Sequence, residues 1–218
     1  MYHTVLFDLD GTLTDPGIGI TNSVAYALGK FGIQASDRTK LYKFIGPPLQ
    51  DSFELFYGFS KEDAGKAVGC YREYYREKGI YENALYDGIK ELLRMLCDKG
   101  KQLLVATSKP EEFALQILEY FDIRKYFAYT AGSNMDGTRS KKEEVIAYAL
   151  KAAKVPAQAS VVMAGDREYD VLGAKAAGID SIGVLFGYGS REELEAAGAV
   201  YLAEKAEDIG RIVCQEDR

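Results

Sequence analysis

Side chains that could bind and transfer a phosphoryl group occur at four points along this sequence. DLDGT at 8–12 follows an apolar run, and Thr107-Ser108-Lys109 follows a second. GD at 165–166 follows a third, with Asp170 one helical turn later, and a lysine at 141 or 142 opens a helical pattern. In open parallel sheets, ligands bind beyond the carboxyl ends of the strands. We therefore expect these groups to meet at one site.

The first of these segments offers two carboxylates at a strand end. Asp8 and Asp10 lie where the chain leaves regular pleating, so both could face the same crevice. Gly11 permits a sharp exit and leaves backbone amides open to an anion. A cation-bound carboxylate is an available nucleophile for phosphorus, and Asp10 could protonate the leaving oxygen and later deprotonate water.

The remaining groups could bind the phosphoryl oxygens and a metal ion. Thr107 or Ser108, with a lysine, would stabilise the charge that accumulates during transfer. Asp166 and Asp170 bring the carboxylates to four, which repel one another unless a cation joins them. Hard oxygen ligands select magnesium. The single histidine and three widely spaced cysteines argue against a zinc site and a Ser-His-Asp triad.

Each residue also has a structural alternative. Ser108 with Glu111 fits an S-x-x-E capping box, so its hydroxyl could cap a helix beginning near Pro110. Lys141 and Lys142 could be solvated helix residues, and Asp166 and Asp170 could be a turn carboxylate and a helix N-terminal acid. The coincidence at four strand or helix ends favours a common site.

The order of apolar patterns predicts an α/β fold with a doubly wound parallel sheet. Runs without polar alternation predict strands covered on both faces, at 4–9, 103–106, 161–164 and 182–185. Amphipathic patterns predict helices at 89–100, 111–121, 141–153 and 170–178. Strands alternating with helices predict right-handed βαβ units.

A long segment after the first strand has a different pattern. Residues 16–84 carry apolar and aromatic residues at helical spacing, interrupted by Gly and Pro, without a good strand. We therefore predict a helical domain at 16–84, inserted into an α/β core domain formed by 1–15 and 85–218.

Composition restricts the class of partner. Among 218 residues, 27 Lys and Arg stand against 33 Asp and Glu, a net charge of −6. This balance argues against binding a nucleic acid polymer or an anionic membrane surface. The sequence shows no signal peptide and no run of about 18 apolar residues. We expect a cytoplasmic protein that acts on a small phosphorylated metabolite.

Four segments together resemble the motifs of the haloacid dehalogenase-like hydrolases. They are DLDGTLTD at 8–15, Thr107-Ser108, a lysine near 142 and GDREYD at 165–170, and they occur in the family's order over nearly the whole chain. The first has the D-x-D-G-T form and the last the G-D-x-x-x-D form. The resemblance implies that the inserted helical segment is a cap.

The resemblance also implies individual roles. Asp8 would form an aspartyl-phosphate and Asp10 would be the general acid and base. Magnesium would be bound by Asp8, the Asp10 main-chain carbonyl and Asp166. Asp170 would either bind the ion directly or contact one of its ligands. Thr107 fits the phosphate-binding hydroxyl better than Ser108, and Lys142 fits the third motif better than Lys141.

Within the family, the core motifs do not separate a phosphatase from a phosphomutase, and the resemblance implies a phosphatase because hydrolysis is the more frequent activity. Asp10 argues against a dehalogenase, while a sugar phosphomutase and a non-catalytic phosphate-responsive module remain alternatives. The segment IGPPL at 45–49 resembles phosphoglycolate phosphatases and a 5′-nucleotidase-like branch. Lys43 and Arg72 are candidate cap cations for an anionic substrate, and Tyr57 or Tyr75 could stack on a base. Helical spacing favours a packing role for Tyr71, Tyr74 and Tyr75.

Overall fold

The computed structural model describes residues 1–156 and 160–215. The chain forms two compact units: Met1–Asp15 with Leu85–Arg218, and Pro16–Ala84. It passes between them twice, after Asp15 and after Ala84. No helix among the described residues is long and apolar enough to cross a membrane.

The first unit is built on a six-stranded parallel sheet. Its strands are β1 (Thr4–Phe7), β4 (Gln102–Pro110), β5 (Tyr129–Ser133), β6 (Val161–Gly165), β7 (Asp180–Val184) and β8 (Tyr201–Ala203). Their order across the sheet is β5-β4-β1-β6-β7-β8. The strand order therefore reverses around β1, which lies between β4 and β6, as the doubly wound prediction requires. Two further short strands, β2 (Thr14–Asp15) and β3 (Ala84–Leu85), form a separate two-stranded sheet.

Helices accompany the strands of this unit along the sequence. They are α4 (Ile89–Asp98), α5 (Glu111–Tyr120), α6 (Lys142–Ala152), α7 (Glu168–Ala176), α8 (Arg191–Ala197) and α9 (Ala206–Cys214), with a 3₁₀ turn at Arg124–Tyr126. The first four confirm the helices predicted from periodicity, within three residues at each end. The strands β5 and β8 and the helices α8 and α9 were not predicted.

Burial explains the apolar strand patterns. Every residue of β1 and of β6 is buried, because helices cover both faces of the sheet. Leu6 and Met163 on these neighbouring strands pack with Val145 and Ile146 of α6 in one apolar cluster. Removing that much apolar surface from water is the main force that holds the sheet and its helices together.

The second unit is helical, as predicted. Its elements are α1 (Gly17–Lys30), a 3₁₀ helix (Arg38–Phe44), α2 (Leu49–Tyr57), α3 (Lys61–Tyr74) and a π-helical turn (Tyr75–Gly79). Ser60 caps α3 by accepting a hydrogen bond from the Asp63 N–H, and Gly58 ends α2 in a left-handed conformation.

Candidate active site

Asp8 follows the last residue of the central strand β1. Its backbone N–H donates to the Ala164 carbonyl at 2.9 Å, so the chain is still held against β6 at this point. The register places Phe7 beside Val105 of β4 and Ala164 of β6. Only 3% of Asp8 is exposed. The carboxylate is therefore held, in a buried position, where β1 and β6 end beside β4.

Lys142, the first residue of α6, is paired with two buried carboxylates. Its ammonium nitrogen lies 2.8 Å from Asp8 Oδ1 and 2.7 Å from Asp170 Oδ1, and it donates to the Ala106 carbonyl at 3.2 Å. Burial alone would lower the pKa of Lys142, but the charges of Asp170 and Asp8 raise it above its usual value. Lys142 is therefore a buried cation, whereas Lys141 is exposed at the N-cap of the same helix.

Asp166 lies directly after β6 among three glycines. A Cβ on Gly11 would lie 2.1 Å from Asp166 Oδ2, and one on Gly187 would lie 2.3 Å from the Asp166 Cβ. A Cβ on Gly189 would lie 1.9 Å from the Asp166 carbonyl oxygen. Gly11 also has a φ of 84°, which favours glycine. The backbone thus reaches this carboxylate at distances that a side chain would prevent.

The loop after β7 holds one oxygen of Asp166. The Tyr188 N–H donates to Asp166 Oδ2 at 2.8 Å, while the Tyr188 hydroxyl donates to Asp15. Asp166 Oδ1 is buried and has no hydrogen-bond partner among the described residues. The loop therefore fixes one oxygen of the carboxylate, whereas the other could bind a ligand.

Three carboxylates of this site could hold a metal ion. Asp8, Asp166 and Asp170 each offer an oxygen, and these oxygens lie within 4.8 Å of one another. Burial, with the charges of Asp170 and Asp8, raises the pKa of Asp166 well above its usual value. Burial also raises the pKa of Asp170 to about 6 against the opposing effect of Lys142. The site therefore gains from a further positive charge, and its all-oxygen donor set fits a hard divalent cation.

Asp10 is paired with a different lysine. Lys109 forms a buried ion pair with Asp10 Oδ2, and the Lys109 N–H donates to Thr107 Oγ1 at 3.3 Å. Thr107 is buried at the end of the paired part of β4. The capping alternative for Ser108 is wrong, because α5 begins at Glu111 with Pro110 as its N-cap and no side chain caps it.

These groups occur in a recognised family. The model of the family described as "Haloacid dehalogenase-like hydrolase" matches residues 5–184. This chain belongs to the haloacid dehalogenase-like hydrolases.

Individual relatives of this hydrolase include named phosphatases. A "5'-nucleotidase" of Pseudomonas aeruginosa is 48% identical over 195 residues, covering 89% of this chain and 88% of the relative. The crystal structure of a predicted phosphatase from Clostridium acetobutylicum has a TM-score of 0.96 and 48% identity, covering 99% of both chains. The hydrolase is thus a phosphatase of this family.

One relative has a different name. The "Tyrosine-protein kinase PtkA" of Mycobacterium tuberculosis is 39% identical over 202 residues, covering 93% of this chain and 68% of the relative. A test of the reaction catalysed by this hydrolase should therefore identify the group that accepts the phosphoryl group.

Sequence reasoning missed two segments that support the site of this hydrolase. The first is FGYGS at 186–190, whose glycines after a predicted strand were an available signal. The second contains Arg139, three residues before Lys142. Arg139 donates to the Gly132 carbonyl at 2.8 Å and to Glu111 Oε2 at 3.1 Å, and its guanidinium lies 3.8 Å from the centre of the Tyr148 ring. Nothing in the residue spacing indicated these partners.

The candidate cations of the helical unit have separate surroundings. The Lys43 ammonium lies 4.3 Å from the centre of the Phe56 ring and 5.6 Å from that of Tyr57. On α3, burial and the like charge of Arg76 lower the pKa of the Arg72 guanidinium.

The aromatic residues of the helical unit differ in burial. Tyr71 and Tyr75 are buried and stacked on each other, with ring centres 5.3 Å apart. This arrangement favours the packing role that their spacing indicated. Tyr57 is only partly buried, and burial raises its pKa.

Proposed function

We propose that this hydrolase is a magnesium-dependent phosphatase that hydrolyses a small phosphomonoester through an aspartyl-phosphate on Asp8. The observation that carries the proposal is the convergence of Asp8, Asp166, Asp170 and Lys142 from two strand ends and two helix starts. Burying several carboxylates and a lysine has a high desolvation cost, so a contribution to stability alone does not explain this cluster. Their placement at a strand-order reversal favours catalysis.

The proposed reaction has two steps. In the first, Asp8 attacks the phosphorus, the ester P–O bond breaks, and Asp10 gives its proton to the leaving oxygen. In the second, Asp10 takes a proton from water, whose oxygen attacks the phosphorus. The Asp8–phosphorus bond then breaks and inorganic phosphate leaves.

The other residues bind and neutralise charge in this proposal. Lys142, Thr107 and the backbone after Gly11 hold phosphoryl oxygens, with Ser108 as a supporting contact. Asp8, the Asp10 carbonyl and Asp166 would hold magnesium, which would neutralise charge on the phosphoryl group. Asp170, whose oxygens pair with Lys142 and the Arg167 N–H, holds the lysine in place.

The helical unit at 16–84 is proposed to be the cap, with Lys43 and Arg72 as its cations. The first substrate class to test is a nucleoside monophosphate, since the Pseudomonas relative is named a 5'-nucleotidase. Phosphoglycolate is the second, because the segment at 45–49 resembles phosphoglycolate phosphatases.

The test is phosphate release from these esters, sugar phosphates and an aryl phosphate, with magnesium or with a chelator, in ¹⁸O-labelled water. Magnesium-dependent release with one solvent oxygen in each phosphate supports the proposal. Transfer to a sugar hydroxyl with a bisphosphate activator would identify a mutase, and transfer from ATP to a tyrosine peptide would identify a kinase. A phosphorylated protein that does not turn over would indicate a phosphate-responsive module.

Asp166→Ala is expected to raise the magnesium concentration needed for half-maximal activity by at least about 10-fold. The change removes a buried oxygen donor from the proposed metal site, and Mn²⁺ binding measured by electron paramagnetic resonance should weaken in parallel. Asp98→Ala, at the exposed end of α4, is the control. An unchanged metal requirement would refute the ligand role of Asp166.

Asp10→Asn is expected to slow hydrolysis of an alkyl ester by about 100-fold or more. An activated aryl ester should lose much less, because its leaving group departs without a proton. The measurement is kcat/KM on both esters, which reports the steps up to formation of the aspartyl-phosphate and not the later attack by water that both esters share. Equal losses on the two would contradict the acid role of Asp10.

A further inference from the structure

Lys109 is a buried lysine that the proposed reaction does not use. Its side chain is 6% exposed and its ammonium group is paired with Asp10 Oδ2. Lysine is rarely buried so completely, since its ammonium group must be desolvated. The sequence groups it with Thr107 and Ser108 at one strand end, and the proposed function gives it no separate role.

The backbone at Lys109 is held by two neighbours. The register between β4 and β5 shifts between Ala106 and Pro110, so the strand is irregular here. The Lys109 N–H donates to Thr107 Oγ1, and a Cβ on Gly132 of β5 would lie 2.6 Å from the Lys109 carbonyl oxygen. Such irregularities re-aim side chains at strand ends. Here the Lys109 side chain reaches Asp10, which lies three residues after the end of β1.

The two lysines of the site divide the carboxylates between them. Lys142 is paired with Asp8 and Asp170, whereas Lys109 is paired with Asp10. Asp10 Oδ1 is buried and has no hydrogen-bond partner in the described part of the chain. The Asp10 carboxyl group is therefore held by one oxygen and offers the other.

We propose that Lys109 is a positioning residue that holds Asp10 by Oδ2, so that Oδ1 faces the leaving-group oxygen. This inference rests on the proposed function. The proton moves from Asp10 Oδ1 to the leaving oxygen as the ester P–O bond breaks, and Lys109 neither gives nor receives a proton. Lys109 affects the orientation of the Asp10 carboxyl group, and a small misplacement of that group would weaken proton transfer.

Lys109→Met is expected to lower kcat/KM on an alkyl phosphate by about 10- to 100-fold, because general acid catalysis by a misplaced Asp10 would be only partly effective. On an activated aryl phosphate, kcat/KM should change by less than about 3-fold, since this leaving group needs no proton. Lys109→Arg keeps the charge and should restore part of the alkyl activity. If Lys109→Met does not fold, the arginine variant is tested for the same difference between esters.

Two controls separate this role from a structural one. Lys101→Met removes a partly buried lysine at the other end of β4, where it donates to the Tyr2 carbonyl, and should affect both esters equally. The double variant Asp10→Asn with Lys109→Met should be no slower on the alkyl ester than Asp10→Asn alone.

Equal losses on both esters in the Lys109 variants, or additive losses in the double variant, would overturn the proposal. Wild-type protein that hydrolyses neither ester, or an Asp8→Asn variant that remains active, would instead refute the proposed function, and the role of Lys109 would fall with it.

Discussion

Asp8→Asn is expected to reduce kcat by at least about 10⁴-fold while the protein stays folded, as the loss of a nucleophile does in other covalent catalysts. The amide has nearly the shape of the carboxylate but cannot attack phosphorus. The measurement is phosphate release from an aryl ester, which needs the least help from Asp10. Melting temperature and circular dichroism should confirm that the sheet persists.

The matched control is Asp98→Asn at the exposed end of α4, which precedes the opposite end of β4. It should leave kcat within about twofold, as surface changes away from a site do. Appreciable turnover by Asp8→Asn would contradict the assignment of the nucleophile. Covalent phosphate trapped on wild-type protein and absent from the variant would locate it directly.

Lys142→Met is expected to have the largest effect on stability. The change leaves Asp8 and Asp170 buried without their shared cation, and breaking such a pair costs about 3–5 kcal/mol. Urea unfolding in the presence of a chelator measures this loss without a metal ion to replace the lysine. Activity with magnesium should fall by about 10²- to 10³-fold, because a donor to the phosphoryl oxygens is gone.

The adjacent lysine provides the control. Lys141 is exposed, so Lys141→Met should change the free energy of unfolding by no more than about 0.5 kcal/mol. Similar effects of the two substitutions would contradict the assignment of Lys142. Comparing the two substitutions therefore tests whether Lys142 or Lys141 is the lysine of the site, a choice that the sequence supported only through the family resemblance.

The sequence predicted the centre of the sheet but not its edges. Residues of β1 and β6 are covered on both faces, so they form continuous apolar runs that are easily recognised. The strands β5 and β8 lie at the two edges of the sheet. Their sequences, YTAGS and YLA, are short and mix apolar with small or polar residues, which gives no clear strand pattern.

In the site, the positions of the main residues were predictable from the sequence, whereas the partners that orient them were not. Strand-end positions indicated where Asp8, Thr107 and Asp166 would lie, since parallel strands end at one edge of a sheet. The partners that orient them depend on tertiary contacts: the Tyr188 N–H on Asp166, and Lys109 on Asp10. A local pattern was also misleading at Ser108, where the irregular end of β4 replaces the capping geometry that S-x-x-E usually indicates.

The position of β1 has a consequence for how this chain folds during synthesis. Thr4 pairs with Gln102 on one side and with Val161 on the other. The strand that precedes Asp8 therefore leaves the ribosome before both of its neighbours, and it has no complete set of neighbours until β6 has followed. Contacts so distant in sequence form slowly, and an unpaired apolar strand invites aggregation. The helices at 16–84 make contacts that are local in sequence, so they can form before β1 has paired with both of its neighbouring strands.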